Sequence, residues 1–209
     1  MAILFSILGR GRAGRALAGA WGARVALLPA SANPEGLVLL AVPDRALAEC
    51  AARFPGRCVH LSGSFHLDGL PSAHPLTSFD GQPADWTGTP LGLTGTVPGV
   101  IREAFAELGF VAFPLAPEDK ALYHACAVLA ANHASALWLG ASALLAQAGV
   151  TLPGRGLFPL VAATARNIEQ HGAAGRTGPF VRGDAPTIAR DAAALPPEWR
   201  EVFLRLGRL

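Results

Sequence analysis

The sequence predicts an α/β fold, a mainly parallel sheet followed by an all-α region, and three features carry this prediction. Short apolar segments alternate with alanine-rich segments through the first half of the 209 residues, which is typical of a parallel sheet covered by helices. A cluster of glycines follows the first apolar segment, and beyond Pro117 only helical patterns remain. We therefore predict two domains, residues 1–116 and residues 117–209.

Turn residues bound the predicted elements. Pro43 and Asp44 end one apolar run, and Gly109 follows a helical segment that begins at Pro98, the usual asymmetry of helix ends. The predicted strands are residues 2–8, 25–28, 37–42, 59–61, 73–79, 90–94 and 110–115, and the predicted helices are residues 12–21, 45–54, 98–108, 118–148, 158–171, 185–195 and 198–206. Right-handed crossovers are expected to join the parallel strands.

The glycine cluster is Gly9-Arg10-Gly11-Arg12-Ala13-Gly14, between a predicted strand and a predicted helix. In a Rossmann unit the first glycine of this spacing permits a tight turn, the second lets the backbone approach a pyrophosphate, and the third lets helix and strand pack closely. The helix N-terminus adds free N–H groups and a positive dipole end. The motif predicts a dinucleotide site, and the alternative is a glycine-rich turn without a ligand.

The segment after the second strand bears on which dinucleotide would bind. NAD sites usually hold the ribose with an acidic residue about 20 residues beyond the glycines, and residues 28–33 contain no carboxylate. Ser31 could bond a 2′-phosphate and Arg10 or Arg12 could neutralise it, so NADP is favoured over NAD.

The connection from the second strand to the third is short, since only residues 29–36 separate them. A parallel crossover usually takes a dozen or more residues and contains a helix. We therefore expect the adenosine side of the site to be reduced, with weak cofactor affinity or no cofactor bound.

Further motifs follow in order along the chain. They are Leu39-Leu40-Ala41-Val42-Pro43-Asp44, His60-Leu61-Ser62-Gly63-Ser64, His74-Pro75-Leu76-Thr77-Ser78-Phe79, Lys120-Ala121-Leu122-Tyr123-His124, Ala130-Ala131-Asn132, and Thr177-Gly178-Pro179 with Arg182-Gly183-Asp184. With the glycine cluster, they make the chain resemble an uncharacterised bacterial family that joins a Rossmann-like domain to a C-terminal helical domain. That family is related to pyrroline-5-carboxylate reductase, prephenate dehydrogenase and deazaflavin-dependent NADP reductase. The resemblance implies an NAD(P)-dependent oxidoreductase but no substrate, and the short connection departs from the family.

Two loops are candidates for the edge of this site. The resemblance implies that Val42 and Pro43 pass beside the nicotinamide, although Pro43 and Asp44 could also simply end a strand and cap the next helix. Ser62-Gly63-Ser64 follows a strand at the carboxyl edge of the sheet, where open α/β folds bind ligands. Its hydroxyls could position a substrate, and a plain glycine turn is the alternative.

His74 is the first candidate for proton transfer. The His74-Pro75 segment is similar to one in prephenate dehydrogenases, where the resemblance implies a contact with the substrate hydroxyl. Hydride transfer to or from a C–OH or C–NH group needs a proton partner, and histidine titrates near neutral pH. The alternative is a histidine bonded to backbone beneath a loop.

Lys120, His124, Asn132 and Ser135 fall on one broad face of the long predicted helix. In related dehydrogenases a lysine and an asparagine on the corresponding helix bind and protonate substrate, which is what the resemblance implies for Lys120 and Asn132. The alternative is that Lys120 lies exposed at the helix start while His124 and Asn132 bond other helices.

Composition limits the remaining function classes. The net charge of +2 shows no basic stripe, so nucleic acid is not an expected partner. The cysteines and histidines lack metal-ligand spacing, so no metal site is predicted, and three unpaired thiols favour the cytoplasm. The most apolar stretch, residues 125–150, includes polar side chains and is expected to be a buried helix rather than a membrane span.

These observations leave more than one function open. The first is an NADP-dependent reductase or dehydrogenase that acts on a small carbonyl, imine or hydroxy acid in an interdomain cleft. The second is a catalytically silent Rossmann module that binds a nucleotide or a protein. A homodimer formed through the helical domain is compatible with either function.

Overall fold

The computed structural model describes residues 3–209, and its first part is built on a seven-stranded sheet. The strands are β1 (Phe5–Leu8), β2 (Val25–Leu28), β3 (Val38–Leu40), β4 (Cys58–His60), β5 (Ser72–Pro75), β6 (Pro90–Thr94) and β7 (Val111–Pro114). The helices between them are α1 (Arg12–Trp21), α2 (Asp44–Ala52) and α3 (Gly99–Glu107). Position 2 of the predicted first strand lies outside the described residues.

The sheet is mainly parallel, as the sequence predicts. Its strand order is β2-β1-β3-β4-β5-β6-β7, and the pairs from β2 to β5 are all parallel. The strand β6 runs antiparallel to β5, and β7 runs parallel to β6. The carboxyl ends of β1, β3 and β4 therefore lie side by side, at the edge where ligands bind in open α/β sheets.

Aromatic side chains fill much of one face of this sheet. Trp21 is 3% exposed, and its ring packs edge-on against Phe5 and Phe105. Its indole N–H donates to the Ala104 carbonyl at 2.9 Å, so the polar end of the ring is satisfied. The other face buries a cluster that includes Leu40, Leu47 and Phe54.

The short connection between β2 and β3 contains no helix, in agreement with the sequence, and two arginines hold it instead. The Arg53 guanidinium donates to the Ala30 and Ala32 carbonyls and to the Asn33 side chain. The Arg57 guanidinium donates to the Pro34 and Gly36 carbonyls, and both guanidiniums stack on the Phe54 ring at 5.0 and 4.8 Å from its centre. Backbone carbonyls of a segment without a helix thus receive charged donors.

The predicted long helix departs from a regular α-helix in its middle. It comprises α4 (Lys120–Ala127), a π-helical segment Val128–His133 and α5 (Ala134–Gln147). By length and composition the stretch Pro117–Gln147 could cross a membrane, with a mean hydropathy of 1.4 over its most apolar window. One such helix is weak evidence for a membrane span, since helices of soluble proteins pass the same test. No part of that window is buried, so the expectation of a buried helix is wrong for the single chain.

The chain divides into two compact units, one ending at Ser135 and the other Ala136–Leu209. The second unit contains α6 (Phe158–His171), α7 (Pro179–Arg182), α8 (Ala185–Ala194) and α9 (Pro197–Leu206). Within it the Trp199 ring contacts Gly140, where a side chain would collide with it. Asp184 caps α8 by accepting from the Thr187 N–H at 3.2 Å.

Candidate functional site

Two glycines of the cluster are required by the protein itself. Gly9 has a φ of +116°, which L side chains rarely adopt, and an added Cβ would collide with the Ala41 carbonyl oxygen. A Cβ at Gly14 would collide with the Gly9 carbonyl oxygen. The tight turn after β1 and the close approach of α1 therefore both depend on the absence of side chains.

Gly11 differs from the other two glycines because nothing in the protein needs its small size. A Cβ built on Gly11 would meet no atom within 4 Å, and the residue is exposed. It stands at the N-cap of α1, whose first turn contains no acidic residue. The open space at this helix N-terminus suits an anion, because the first-turn N–H groups have no partners inside the helix. A pyrophosphate fits this donor set.

The turn after β2 lies beside this loop. The Gly9 N–H donates to the Leu28 carbonyl at 3.0 Å, which joins the two segments. Ser31 lies exposed in that turn, and Arg10 and Arg12 are exposed on the loop. With cationic side chains nearby and no carboxylate among residues 28–33, the charge suits a 2′-phosphate.

The third strand ends against the glycine loop. The Ala41 N–H donates to the Leu8 carbonyl at 2.8 Å, and the half-buried Val42 and exposed Pro43 follow it. Pro43, not Asp44, occupies the N-cap position of α2, so the capping role considered for Asp44 is wrong. The Asp44 carboxylate instead accepts from the Ser64 hydroxyl at 2.8 Å.

The loop Ser62-Gly63-Ser64 is held by its own hydrogen bonds. The Ser62 hydroxyl accepts from the N–H groups of Ser64 and Phe65 at 3.3 and 2.9 Å. The Ser62 N–H donates to His60 Nδ1 at 3.1 Å. Burial, followed by the nearby Lys120 charge, lowers the pKa of His60 to about 4, so this imidazole is neutral near pH 7.

His74 on β5 faces Tyr123 on α4. The His74 Nδ1 and the Tyr123 hydroxyl are 2.9 Å apart, and the rings meet edge to face. Burial, and then the neighbouring His124 and Lys120, lower the pKa of His74 to about 4, while burial raises the pKa of Tyr123 to about 12. Both groups are therefore neutral near pH 7, and His74 is not bonded to backbone beneath a loop, the alternative to a functional role.

Lys120 is 1% exposed. The alternative that it lies exposed at the helix start is therefore wrong. Its ammonium group donates to the Ser62 carbonyl at 3.0 Å and to the Ser72 hydroxyl at 2.8 Å. Burial lowers the pKa of Lys120 to about 8, and Asp44 opposes the shift. Lys120 thus connects the start of α4 to the loop after β4 and to β5.

His124 lies on the other side of the same loop. A Cβ added to Gly63 would stand 2.8 Å from His74 Nε2 and 3.0 Å from His124 Nδ1. Among the described residues, His124 Nδ1 is the buried side-chain polar atom without a hydrogen-bond partner. Such unpaired groups are rare in native proteins and call for an explanation.

Asn132 and Ser135 are not part of this cluster. Asn132 is exposed, and its backbone carbonyl accepts from the Ser135 hydroxyl at 2.8 Å. Both residues follow the start of the π-helical segment at Val128, and its wider turn invalidates the regular spacing on which the shared helix face was predicted.

The structure therefore brings together most of the predicted polar residues and adds some that the sequence did not single out. His74, Lys120, His124 and the loop Ser62-Gly63-Ser64 meet at the carboxyl edge of β4. Tyr123, Ser72, Asp44 and His60 join them. Tyr123 is the single tyrosine of the sequence and directly precedes the predicted site residue His124. This position could have identified Tyr123 as a candidate site residue.

Solved structures share this fold over nearly their whole length. A protein from Bacteroides fragilis described as a candidate NADP oxidoreductase has a TM-score of 0.78 and 19% identity, over 98% of this chain and 96% of that chain. A protein from Thermotoga maritima has a TM-score of 0.73 and 21% identity, over 98% and 95%. A reductive aminase from Aspergillus terreus, in complex with NADPH4, cyclohexanone and allyl amine, has a TM-score of 0.62 and 15% identity, over 99% and 92%. At these identities the similarity establishes the Rossmann-like fold with its helical C-terminal region.

Sequence comparison assigns the family. No curated protein sequence matches the chain significantly, and the kinship with the three named enzyme groups stays a prediction. The model of one family, described as a domain of unknown function, matches residues 90–209, more than half of the chain. The chain therefore belongs to the family described as Domain of unknown function (DUF2520).

Proposed function

We propose that this chain is an NADP-dependent oxidoreductase that transfers a hydride between the nicotinamide and a small carbonyl, imine or hydroxy-acid substrate. The observation that carries the proposal is the open space at Gly11, at the N-terminus of α1, in a loop whose other two glycines are required by packing. A glycine that the protein does not need for its own packing is explained by a ligand that approaches its backbone. The Bacteroides fragilis and Aspergillus terreus proteins, described with NADP or NADPH4, support the cofactor class.

The side chains at the carboxyl edge of β4 suit the proton side of such a reaction. When bound, a nicotinamide would supply or accept the hydride. The Tyr123 hydroxyl is the proton donor in this proposal, and His74 holds it through the 2.9 Å hydrogen bond. Lys120 is buried and bonded to Ser62 and Ser72, so it positions the loop and contributes a positive charge beneath it.

Direct titration of the purified protein with NADPH and with NADH tests the function. Because no carboxylate follows β2 and the nearby side chains are cationic, NADPH should bind more tightly than NADH. Calorimetry and the change in nicotinamide fluorescence measure both affinities. Absence of binding of either dinucleotide at millimolar concentration would exclude the oxidoreductase and favour the catalytically silent module.

We also propose that the helical unit pairs with a second copy of the chain. Its helices expose large apolar side chains, among them Leu139 at 73%, Leu160 at 65% and Phe158 at 51%. A protein surface suits them better than a membrane, because the long helix that contains Leu139 begins in the first unit, where Lys120 and His124 lie against the loop after β4. Large apolar side chains exposed in this number on one helical unit favour a protein interface.

Sedimentation of the purified protein without detergent tests this pairing. The expected mass is twice the 21.5 kDa of one chain, and Leu139→Lys should shift it toward the single-chain mass, whereas Glu169→Lys on α6 should not. A monomer that remains soluble without detergent, or one that needs detergent to stay in solution, would contradict the homodimer.

A further inference from the structure

Three side chains, Tyr123, His74 and His124, stand in line at the carboxyl edge of β4. The Tyr123 hydroxyl and His74 Nδ1 are 2.9 Å apart. On the far side of its ring, His74 Nε2 lies beside Gly63, 2.8 Å from the point where a Cβ of this residue would stand, and His124 Nδ1 lies 3.0 Å from the same point. The two imidazole rings are nearly perpendicular, with centres 6.1 Å apart.

Gly63 is the reason these two nitrogens can converge. A Cβ on Gly63 would stand within 3.0 Å of both of them, closer than ordinary van der Waals contact allows. The φ of Gly63 lies outside the left-handed range, so backbone conformation does not require glycine there. The missing side chain instead leaves room for the edges of His74 and His124.

The unpartnered atom of His124 points to the same arrangement. His124 Nδ1 is buried and lacks a hydrogen-bond partner among the described residues, while the residue as a whole is half-buried. Its other nitrogen, Nε2, lies on the opposite edge of the ring. A rotation of the His124 ring within the space beside Gly63 would direct Nδ1 at His74 Nε2, which has no other hydrogen-bond partner in the described structure.

We propose that His124, His74 and Tyr123 form a proton relay that returns a proton from solvent to the Tyr123 oxygen after Tyr123 has protonated a substrate. This inference rests on the proposed function, because it supplies the proton that each hydride transfer consumes. In the resting state His74 has its hydrogen on Nδ1 and donates it to the Tyr123 oxygen, which leaves the tyrosine O–H free to donate to a ligand.

Each transfer in the relay breaks one bond to hydrogen and forms another. When Tyr123 has given up its proton, three transfers occur together: the His74 Nδ1–H bond breaks as the Tyr123 O–H bond forms again, His74 Nε2 takes the proton of His124 Nδ1, and His124 Nε2 takes one proton from water. One proton enters from solvent and one leaves on the substrate, so neither ring becomes charged. Both rings are left in the other tautomer, and exchange of their ring hydrogens with water restores the resting tautomers before the next turnover. A ring that carries protons in this way must be neutral at rest, as His74 is near pH 7.

Nitrogen-15 NMR of the imidazole rings tests the relay in the protein without substrate. The wild-type protein should show His74 protonated at Nδ1 and unprotonated at Nε2. The His74 ring proton should exchange with water through His124, so His124→Gln should slow that exchange about tenfold. Gly63→Ala should slow it as well, because the added Cβ separates the two rings, whereas Gly99→Ala, where a Cβ meets only ordinary contacts, should not.

Two results would overturn the relay. One is a His74 ring protonated at Nε2, since the tyrosine proton would then be directed at His74 instead of at a ligand. The other is an exchange rate in His124→Gln equal to that of the wild type. If the same samples bind NADPH, such a result contradicts the relay alone and leaves the proposed oxidoreductase in place. If the wild-type protein does not bind NADPH, the proposed function itself is contradicted.

Discussion

The glycine loop and the polar cluster at the end of β4 are two halves of one sheet edge, built in opposite ways. The loop presents backbone, with no side chains at Gly9, Gly11 and Gly14. The cluster consists of side chains that lie far apart in sequence, such as His74 and Tyr123, which are 49 residues apart. A backbone loop can therefore be recognised from a local motif, whereas a cluster of side chains depends on the whole fold.

Substitution at Gly9 should give the largest effect and separate packing from binding within the loop. Gly9→Ala combines an unfavourable positive φ with a collision against the Ala41 carbonyl, and we expect a loss of about 3 kcal/mol in the free energy of unfolding. Urea denaturation measures it. Gly99→Ala, at the start of α3, is the control and should leave stability within about 1 kcal/mol of the wild type. Equal stability of the two variants would contradict the close approach of β1 to the segment after β3.

Loss of the tyrosine hydroxyl should affect the cluster and not the loop. Tyr123→Phe should lower the rate of NADPH oxidation, over a panel of small carbonyls and imines, by about 100-fold. NADPH affinity should stay within about twofold, because Tyr123 does not contact the glycine loop. If the variant retains the full rate on every substrate that the wild type reduces, Tyr123 is not the proton donor.

Lowering the pH should destabilise the folded protein, because the cluster contains buried histidines. His60 and His74 have folded pKa values of about 4 against a usual 6.5, so between these values the unfolded chain binds more protons. Stability should therefore be complete above pH 6.5 and fall as the pH drops toward 4, by up to about 1.4 kcal/mol per pH unit for each site. Urea denaturation at several pH values checks this.

A matched pair of variants identifies the groups responsible for this acid dependence. His74→Gln should flatten the fall in stability between pH 6.5 and 4, because one buried titrating group is removed. His171→Gln changes an exposed histidine at the end of α6 and should leave the slope unchanged. If both variants retain the wild-type slope, His74 does not titrate as its burial implies.

Asn132 should show the smallest effect. It is exposed on the π-helical segment and lies outside the cluster, so Asn132→Ala should change the free energy of unfolding by no more than about 0.5 kcal/mol. The rate of NADPH oxidation should also be unchanged. A loss of activity comparable to that of Tyr123→Phe would show that Asn132 belongs to the site after all.

The sequence predicted most of the fold because its signals are local. The apolar runs before Gly9 and Pro43, the glycine spacing and the short segment 29–36 each specify one turn or strand, and the observed elements follow them. The hydrogen bonds from Arg53 and Arg57 to that segment could not be predicted. Arg53, for example, reaches the Ala30 carbonyl only because the fold brings the end of α2 beside the turn after β2.

The candidate site was predicted in part, for the same physical reason. His74, Lys120 and the loop at Ser62 were singled out from the residues and the resemblance. The burial of Lys120 could not be foreseen, since a lysine at a helix start is usually solvated. The π-helical segment at Val128 has no sequence signal that we can name, and it is what moved Asn132 away from the predicted face.

The most direct test of the central claim compares NADPH affinity in the wild type, Gly11→Val and Gly99→Val. A Cβ at Gly11 would stand in the open space at the N-terminus of α1, with no atom of the described residues within 4 Å. We expect Gly11→Val to fold, with a loss of about 1 kcal/mol in the free energy of unfolding, and to lose NADPH binding, while Gly99→Val retains it. Undiminished NADPH affinity in a folded Gly11→Val protein would show that the glycine loop is not the phosphate site.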